Sequence, residues 1–156
     1  MPGLKILSGS GTFRFPVRVY WEDTDAGGIV FYANYLKFFE RSRTEWLRSL
    51  GVGQFDLKQL EGGMFVVAES NVRYLRPARL DDELIVTASI KEMGRAAMII
   101  EQQALLKKEQ IDADGQVCQV ETVICEGSIR IGWVNAATLQ PERMPLKLIE
   151  RLTGQF

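Results

Sequence analysis

The chain has 156 residues, of which 46% are hydrophobic and 25% charged, and its formal net charge is −1. This length and composition are typical of one soluble globular domain. Because the chain has no excess of basic residues to bind phosphates, its charge balance excludes a general nucleic-acid-binding protein. No apolar run approaches the ~20 residues of a membrane helix. We also find no secretory signal, so we expect a cytoplasmic protein.

The chain contains no histidine and only two cysteines. The lack of histidine excludes Ser-His and Cys-His catalytic pairs and removes the commonest zinc ligand. Cys118 and Cys125 lie in one extended segment, roughly 23 Å apart at ~3.3 Å per residue, so we expect two reduced, buried thiols rather than a disulfide. An enzyme of this composition must use carboxylates, hydroxyls and backbone amides, and we expect no bound metal.

Residues 1–12 are rich in glycine and serine, which predicts a flexible arm before a single domain over residues 13–156. The domain opens with a strand, because hydrophobic and polar side chains alternate from its first residue. The apolar face of this strand comprises Phe13, Phe15, Val17, Val19 and Trp21. Residues 22–33 break the alternation and are rich in turn formers.

A helix is predicted from residue 35, where the hydrophobic period becomes helical. Asn34 is the predicted N-cap and Gly51 the residue just past the C-terminus, which gives a helix of ~16 residues. The apolar face is wide and aromatic, so a large surface should cover it. Arg43 falls within this face, and we therefore expect it to be buried and paired with a carboxylate.

Four further strands are predicted, at residues 64–75, 83–93, 95–108 and 116–134. Gly94 and the Asp114-Gly115 pair mark hairpin turns. A long helix wrapped by a curled antiparallel five-stranded sheet is an α+β fold. The open edges of such a sheet are commonly covered by pairing with another copy.

The last predicted strand changes phase along its length. Its apolar residues occupy even positions up to Ile124 and odd positions from Ile129 onwards. One extra residue near Gly127 would explain the change, so we predict a β-bulge there. The C-terminal residues suit a short helix with Pro145 near its first turn.

The stretch "WEDTDAGGIVFYANY" places Asp23, Asp25 and two glycines just before the predicted helix. The first amides of a helix lack intrahelical partners and favour developing negative charge. Gly27 and Gly28 have no side chains, so a ligand carbonyl could approach the backbone. Asp25 could then act as a base on water or attack a carbonyl itself, although a plain turn-forming role stays open. Asp23 would point away from Asp25, which favours a turn or packing role.

The runs "RVYWEDTDAGGIVFYANYLKFFERSRTEWLRSLG" and "RYLRPARLDDELIVTASIKEMGRAAM" resemble the 4-hydroxybenzoyl-CoA thioesterase type of hotdog-fold protein. Residues 13–135 look most like the branch of acyl-CoA thioesterases associated with the bacterial Tol-Pal system. The resemblance implies a hotdog fold, a homotetramer built from hotdog dimers, and hydrolysis of short-chain or other small acyl-CoA thioesters. Coenzyme A would enter as part of the substrate, with no permanent cofactor.

The resemblance also implies roles for individual residues. Asp25 would be the catalytic carboxylate, and the backbone amide of Tyr32 would polarise the thioester carbonyl. Arg95, after the hairpin residue Gly94, would bind coenzyme A phosphates at a subunit boundary, although a solvated turn arginine fits equally well. Many Tol-Pal-associated members carry His at the position of Tyr32, whereas the hydroxybenzoyl-specific branch carries Tyr. Tyr32 therefore either lines an acyl pocket or simply packs.

Two other functions remain open at this point. One is an aromatic, hydroxybenzoyl-type acyl-CoA thioesterase, which Tyr32 favours. The other is a non-catalytic acyl-binding or interaction module that docks acyl carrier protein or a membrane-linked complex, and the intact Asp25 speaks against it. A hotdog dehydratase is disfavoured because that chemistry in relatives relies on a histidine.

Overall fold

The computed structural model describes residues 5–6 and 11–154. The strands are β1 (Lys5–Ile6), β2 (Phe13–Arg18), β3 (Gly63–Tyr74), β4 (Glu83–Met93), β5 (Ala97–Ile111) and β6 (Val117–Asn135). The helices are α1 (Asn34–Ser49), α2 (Gln54–Glu61) and α3 (Leu146–Thr153), with a 3₁₀ helix at Trp21–Asp23. The arm predicted over residues 1–12 lies mostly outside the described residues. No described helix is long and apolar enough to cross a membrane.

The strands form one antiparallel sheet that wraps α1. Its order is β1-β4-β5-β6-β3, and β2 also pairs with β4. The five long strands match the predicted five-stranded sheet, and β1 adds a two-residue extension along β4. The aromatic face of α1 is buried as expected, with Tyr35, Phe38, Phe39 and Trp46 all less than 9% exposed. Burial of this face supplies much of the apolar free energy that holds α1 against the sheet.

The ends of α1 explain one success and one error. Gly51 follows the helix with φ +74°, the left-handed conformation that favours glycine, as predicted. Asn34 is not the N-cap, because Ala33 occupies that position and Asn34 is the first helical residue. The side-chain amide of Asn34 donates instead to Asp23 Oδ1 at 2.7 Å.

The first strand is shorter than its alternation predicts. It ends at Arg18, and Trp21 begins the 3₁₀ helix with 79% of its surface exposed. Trp21 therefore does not belong to the buried face that Val17 and Val19 form. The backbone turns here because the chain must leave the sheet to reach the start of α1.

The β-bulge in the last strand exists, but three residues before its predicted position. Ala104 pairs with Cys125 and Leu105 with Val123, so Ile124 is the extra residue. Ile124 and Cys125 are both fully buried, which is why the apolar phase changes there. Gly127 keeps regular pairing and serves a different purpose. A Cβ at Gly127 would lie 2.9 Å from Phe39 Cε2, so its lack of a side chain lets the Phe39 ring reach the sheet.

Helix α2 was not predicted from the sequence. It fills the connection between α1 and β3, begins after Gly53 and ends at Glu61, before Gly62, whose φ is +66°. Leu57 on this helix is partly buried against the core.

Polar side chains fasten α1 to the middle of the sheet. Ser42 Oγ donates to the Val86 carbonyl at 2.9 Å, and Arg43 Nη1 donates to Gln102 Oε1 at 2.8 Å. Gln102 Nε2 in turn donates to the carbonyls of Phe39 and Thr87, at 3.0 and 3.1 Å. Arg43 is buried as predicted, but the predicted carboxylate partner is wrong. The partner is a neutral amide, which strand pairing brings from β5.

The two cysteines differ in exposure. Both are free thiols, and Cys125 is buried, but Cys118 is exposed, contrary to the expectation that both are buried. Burial raises the pKa of the Cys125 thiol to about 12. Because the thiolate is the reactive form, Cys125 should be inert in the folded protein.

We expect a thiol reagent to label one cysteine per folded chain, and the second only after denaturant is added. Mass spectrometry of labelled peptides should assign the first label to Cys118. A Cys118→Ser variant should take up no label until denaturant is added. Equal labelling rates for Cys118 and Cys125 in the native protein would contradict the observed burial.

Candidate active site

Asp23 anchors the loop that precedes α1. Its side chain is 4% exposed, accepts from the Tyr20 amide at 2.8 Å through Oδ2, and accepts from Asn34 through Oδ1. The Asp23 carbonyl also accepts from the Phe31 amide at 2.9 Å. These bonds tie the 3₁₀ helix to the first turn of α1, which confirms the expected turn or packing role of Asp23.

Asp25 lies at the exposed tip of the same loop, in a tight turn. Its Oδ1 accepts from the Gly27 amide at 2.8 Å, and its own backbone amide donates to Ile29 at 3.0 Å. Gly28 closes the turn with φ +76°, and a Cβ at Gly27 would lie 3.1 Å from Asp25 Oδ1. Gly28 thus suits the backbone of this turn, and Gly27 leaves room for the Asp25 carboxylate. Among the described residues, Asp25 Oδ2 accepts no hydrogen bond, so this oxygen is available to water or a ligand.

The Tyr32 amide lies between this turn and α1. The Phe31 amide donates to the Asp23 carbonyl and the Asn34 amide to the Phe31 carbonyl, whereas no acceptor for the Ala33 amide occurs among the described residues. No acceptor for the Tyr32 amide occurs in the part of the chain that the structure describes. Asp25, Gly27, Gly28 and Tyr32 thus share one short loop, with an accessible carboxylate oxygen and an unpaired main-chain donor. Such a pair can act on a carbonyl group.

An aromatic cluster of Phe31, Tyr32, Tyr35 and Tyr74 lies beside the loop. The Tyr32 ring centroid is 4.9 Å from that of Phe31 and 5.9 Å from that of Tyr74, and Tyr35 lies 5.8 Å from Tyr74. Tyr32 is 62% exposed and Tyr74 is 46% exposed. Burial raises the pKa of Tyr35 to about 12 and also raises the pKa of Tyr74.

Sequence reasoning missed Tyr74. It is the last residue of β3 and comes next to Tyr32 through the tertiary fold. Its place at the end of a predicted strand was visible in the sequence, but that pattern alone does not reveal its neighbours.

Arg95 is exposed and lies in the hairpin between β4 and β5. The site loop lies at the other end of β4, since Val30 donates to the Ala78 carbonyl and Val19 to the Asp82 carbonyl. Between these ends run the 11 residues of β4, up to about 36 Å at ~3.3 Å per residue. The structure therefore does not bring Arg95 of one chain to Asp25 of the same chain.

Two large cavities among the described residues do not include the site loop. One of about 780 Å³ lies between α2 and α3, and another of about 470 Å³ lies over β4, β5 and β6. Neither includes Asp25 or Tyr32, and both of these residues are exposed in the single chain. Within residues 5–6 and 11–154, no cluster of three cysteines or carboxylates is placed to hold a metal ion.

Residues 27–112, more than half of the chain, match the family model described as "Thioesterase superfamily". The chain belongs to this superfamily. This thioesterase is thus a thioester hydrolase, and the matched segment begins within the Asp25 turn and includes all of α1.

Relatives of this thioesterase carry the same type of activity in their names. It is 47% identical over 93 residues to acyl-CoA thioesterase YbgC of Haemophilus influenzae, covering 60% of this chain and 68% of that protein. It is 36% identical over 137 residues to acyl-CoA thioester hydrolase YbgC of Escherichia coli O6:H1, covering 88% of this chain and 92% of that protein.

Solved structures share the fold of this thioesterase. A probable thioesterase from Bartonella henselae is 30% identical with a TM-score of 0.73, and the match covers 86% of this chain and all of that one. A mutant 4-hydroxybenzoyl-CoA thioesterase in complex with 4-hydroxybenzoyl-CoA has a TM-score of 0.77 at 17% identity, covering 90% of this chain and 98% of that one. The expected hotdog fold is confirmed.

Proposed function

We propose that this thioesterase hydrolyses acyl-CoA thioesters of short-chain or other small acyl groups. The observation that carries the proposal is the pairing, on one loop, of an accessible Asp25 oxygen with the unpaired Tyr32 amide. The names of the YbgC relatives support coenzyme A as the thiol part of the substrate.

In the proposed reaction, the Tyr32 amide donates to the thioester carbonyl oxygen and stabilises the negative charge that develops there. One such donor typically contributes about 2.7–4 kcal/mol to transition-state stabilisation. Asp25 either takes a proton from a water that attacks the carbonyl carbon, or attacks that carbon itself and forms an anhydride that water then hydrolyses. By either route the carbon–sulfur bond breaks, water supplies the new oxygen of the acid, and the coenzyme A thiolate takes up a proton.

Aromatic acyl-CoA thioesters are the second candidate substrates. The aromatic cluster favours them, because the exposed rings of Phe31, Tyr32 and Tyr74 could stack against an aromatic acyl group beside Asp25.

We further propose that the complete site forms in a homotetramer built from hotdog dimers. Asp25 is open to solvent in the single chain, and β3 is an edge strand on which Val67 is 51% exposed. In such an assembly, Arg95 of a second copy would bind the phosphates of coenzyme A, since Arg95 of the same chain is too distant. A cytoplasmic location, an association with the Tol-Pal system and docking of acyl carrier protein also belong to the proposal.

The test is a panel of acyl-CoA esters, from short to long aliphatic chains together with benzoyl and hydroxybenzoyl esters, with release of free thiol as the readout. We expect the highest kcat/KM for short aliphatic esters. A preference for the aromatic esters would instead favour the second candidate. If no ester is cleaved, the non-catalytic acyl-binding module becomes the better description.

A further inference from the structure

Arg43 is a buried cation without an ionic partner. It lies in the third turn of α1, is 9% exposed, and donates to the neutral Gln102 amide. No carboxylate oxygen in the described ranges lies within 4.0 Å of its guanidinium nitrogens. Burial lowers the pKa of Arg43, and the charge of Glu40 offsets this effect. A buried charge normally has an ionic partner. The lack of one at Arg43 suggests that a ligand supplies the partner charge.

Arg43 also lines a cavity of about 110 Å³ between α1, α2 and the inner face of the sheet, which we call the Arg43 cavity. Its walls are mostly apolar, and they include Trp46, Leu47, Phe65, Met98, Ile100 and Ile131. Its polar residues are Arg43, Glu40 and Gln54. At roughly 30 Å³ per water molecule, its volume corresponds to three to four waters. It therefore fits the end of a small ligand.

The guanidinium has further N–H groups that could donate to such a ligand. Arg43 uses only Nη1 in a side-chain hydrogen bond among the described residues. Every fully buried side-chain nitrogen or oxygen in the described chain has a partner. The Arg43 nitrogens without one must therefore keep contact with space outside the protein atoms, and Arg43 lines the cavity.

We propose that the Arg43 cavity binds the carboxylate end of a small organic acid. The planar guanidinium matches a carboxylate in shape and donor geometry, and the mostly apolar walls strengthen the charge-assisted bond. The bound carboxylate would also compensate the buried charge. Two sources fit this chemistry: a free organic acid, or the far carboxylate of a dicarboxylic acyl group. Only the second source rests on the proposed function, and it needs a long acyl group, because Arg43 lies ~14 Å along α1 from Asn34.

Two exposed residues at the cavity provide a matched pair of charge changes. Glu40 carries a negative charge that opposes anion binding, and its Oε1 accepts from Thr44 Oγ1 at 2.9 Å. Gln54 is the first residue of α2, where an added negative charge suits the helix dipole. Glu40→Gln should therefore strengthen carboxylate binding and Gln54→Glu should weaken it, without disturbing the core.

In the first experiment, calorimetry measures the binding of propionate, and of its uncharged analogue propionamide, to the full chain. We expect propionate to bind once per chain and propionamide to bind at least about 10-fold more weakly. Glu40→Gln should tighten propionate binding by several-fold, Gln54→Glu should weaken it by several-fold, and Gln110→Glu, a remote exposed exchange on β5, should leave it unchanged. Arg43→Gln should abolish propionate binding. If that variant does not fold, the changes in affinity caused by Glu40→Gln and Gln54→Glu test the proposal instead.

The second experiment separates the two sources. If free acids are the ligand, propionate binding should persist in Asp25→Asn, where the proposed function requires hydrolysis to fail. If the far carboxylate of the substrate is the ligand, a dicarboxylic acyl-CoA should have a lower KM than a monocarboxylic ester of equal length, and Gln54→Glu should raise that KM selectively. The proposal is wrong if propionate binds no better than propionamide and the KM for dicarboxylic esters does not respond to Glu40→Gln or Gln54→Glu.

Discussion

Replacing Asp25 with asparagine should lower kcat/KM for acyl-CoA esters by at least about 10²-fold, the lower range of general acid–base contributions. The Asn side chain is nearly isosteric, and its carbonyl oxygen can still accept from the Gly27 amide as Asp25 Oδ1 does at 2.8 Å. The turn should therefore persist while the base or nucleophile is lost. Free-thiol release, measured beside a thermal unfolding curve, checks both parts of this expectation.

Glu22→Gln is the matched control for the Asp25 variant. Glu22 is an exposed acid in the 3₁₀ helix of the same region, and its neutralisation changes the local charge equally. We expect Glu22→Gln to change kcat/KM by less than about 2-fold, because an exposed charge is screened by solvent. If a folded Asp25→Asn variant has the same kcat/KM as Glu22→Gln, then Asp25 is only a turn residue.

Replacing Phe39 with alanine should lower the free energy of unfolding by about 3–5 kcal/mol, the usual range for a buried phenylalanine. Phe39 is 0% exposed, and its ring lies against Gly127 where no side chain separates helix from sheet. The cavity left by the ring cannot be filled by Gly127. Urea unfolding, followed by intrinsic fluorescence, gives the value.

The control for the Phe39 variant is Phe55→Ala, which removes the same side chain from a position that is 73% exposed on α2. Exposed substitutions usually change stability by less than about 0.5 kcal/mol. Similar losses for the two variants would mean that the α1 face is not the centre of the core.

The long elements were predictable because their signals are local and strong. The helical period over α1, the left-handed residue Gly51 and the hairpin at Gly94 each follow from a few neighbouring residues. Helix α2 was missed because its eight residues are flanked by glycines and only weakly amphipathic. The bulge was misplaced by three residues because a phase change shows that an extra residue exists, while burial in the fold decides where it sits.

The same division holds within the candidate site. The turn from Asp25 to Gly28 was visible in the sequence, since all of its bonds join residues close in the chain. The contacts of Tyr74 with Tyr32 and of Gln102 with Arg43 were not visible, because β3 and β5 bring these residues together from distant positions in the chain. Arg43 shows how the error arises: a buried cation predicts a partner but not its chemical type.

The bonds from Ser42, Arg43 and Gln102 have a mechanical meaning for catalysis. They fix the register of α1 on the sheet, so the helix cannot slide along its axis without breaking several buried hydrogen bonds at once. The loop that carries Asp25 and Tyr32 is attached to the start of this anchored helix. If Asp25 and Tyr32 act as proposed, little of the substrate's binding energy would be consumed in arranging these two groups.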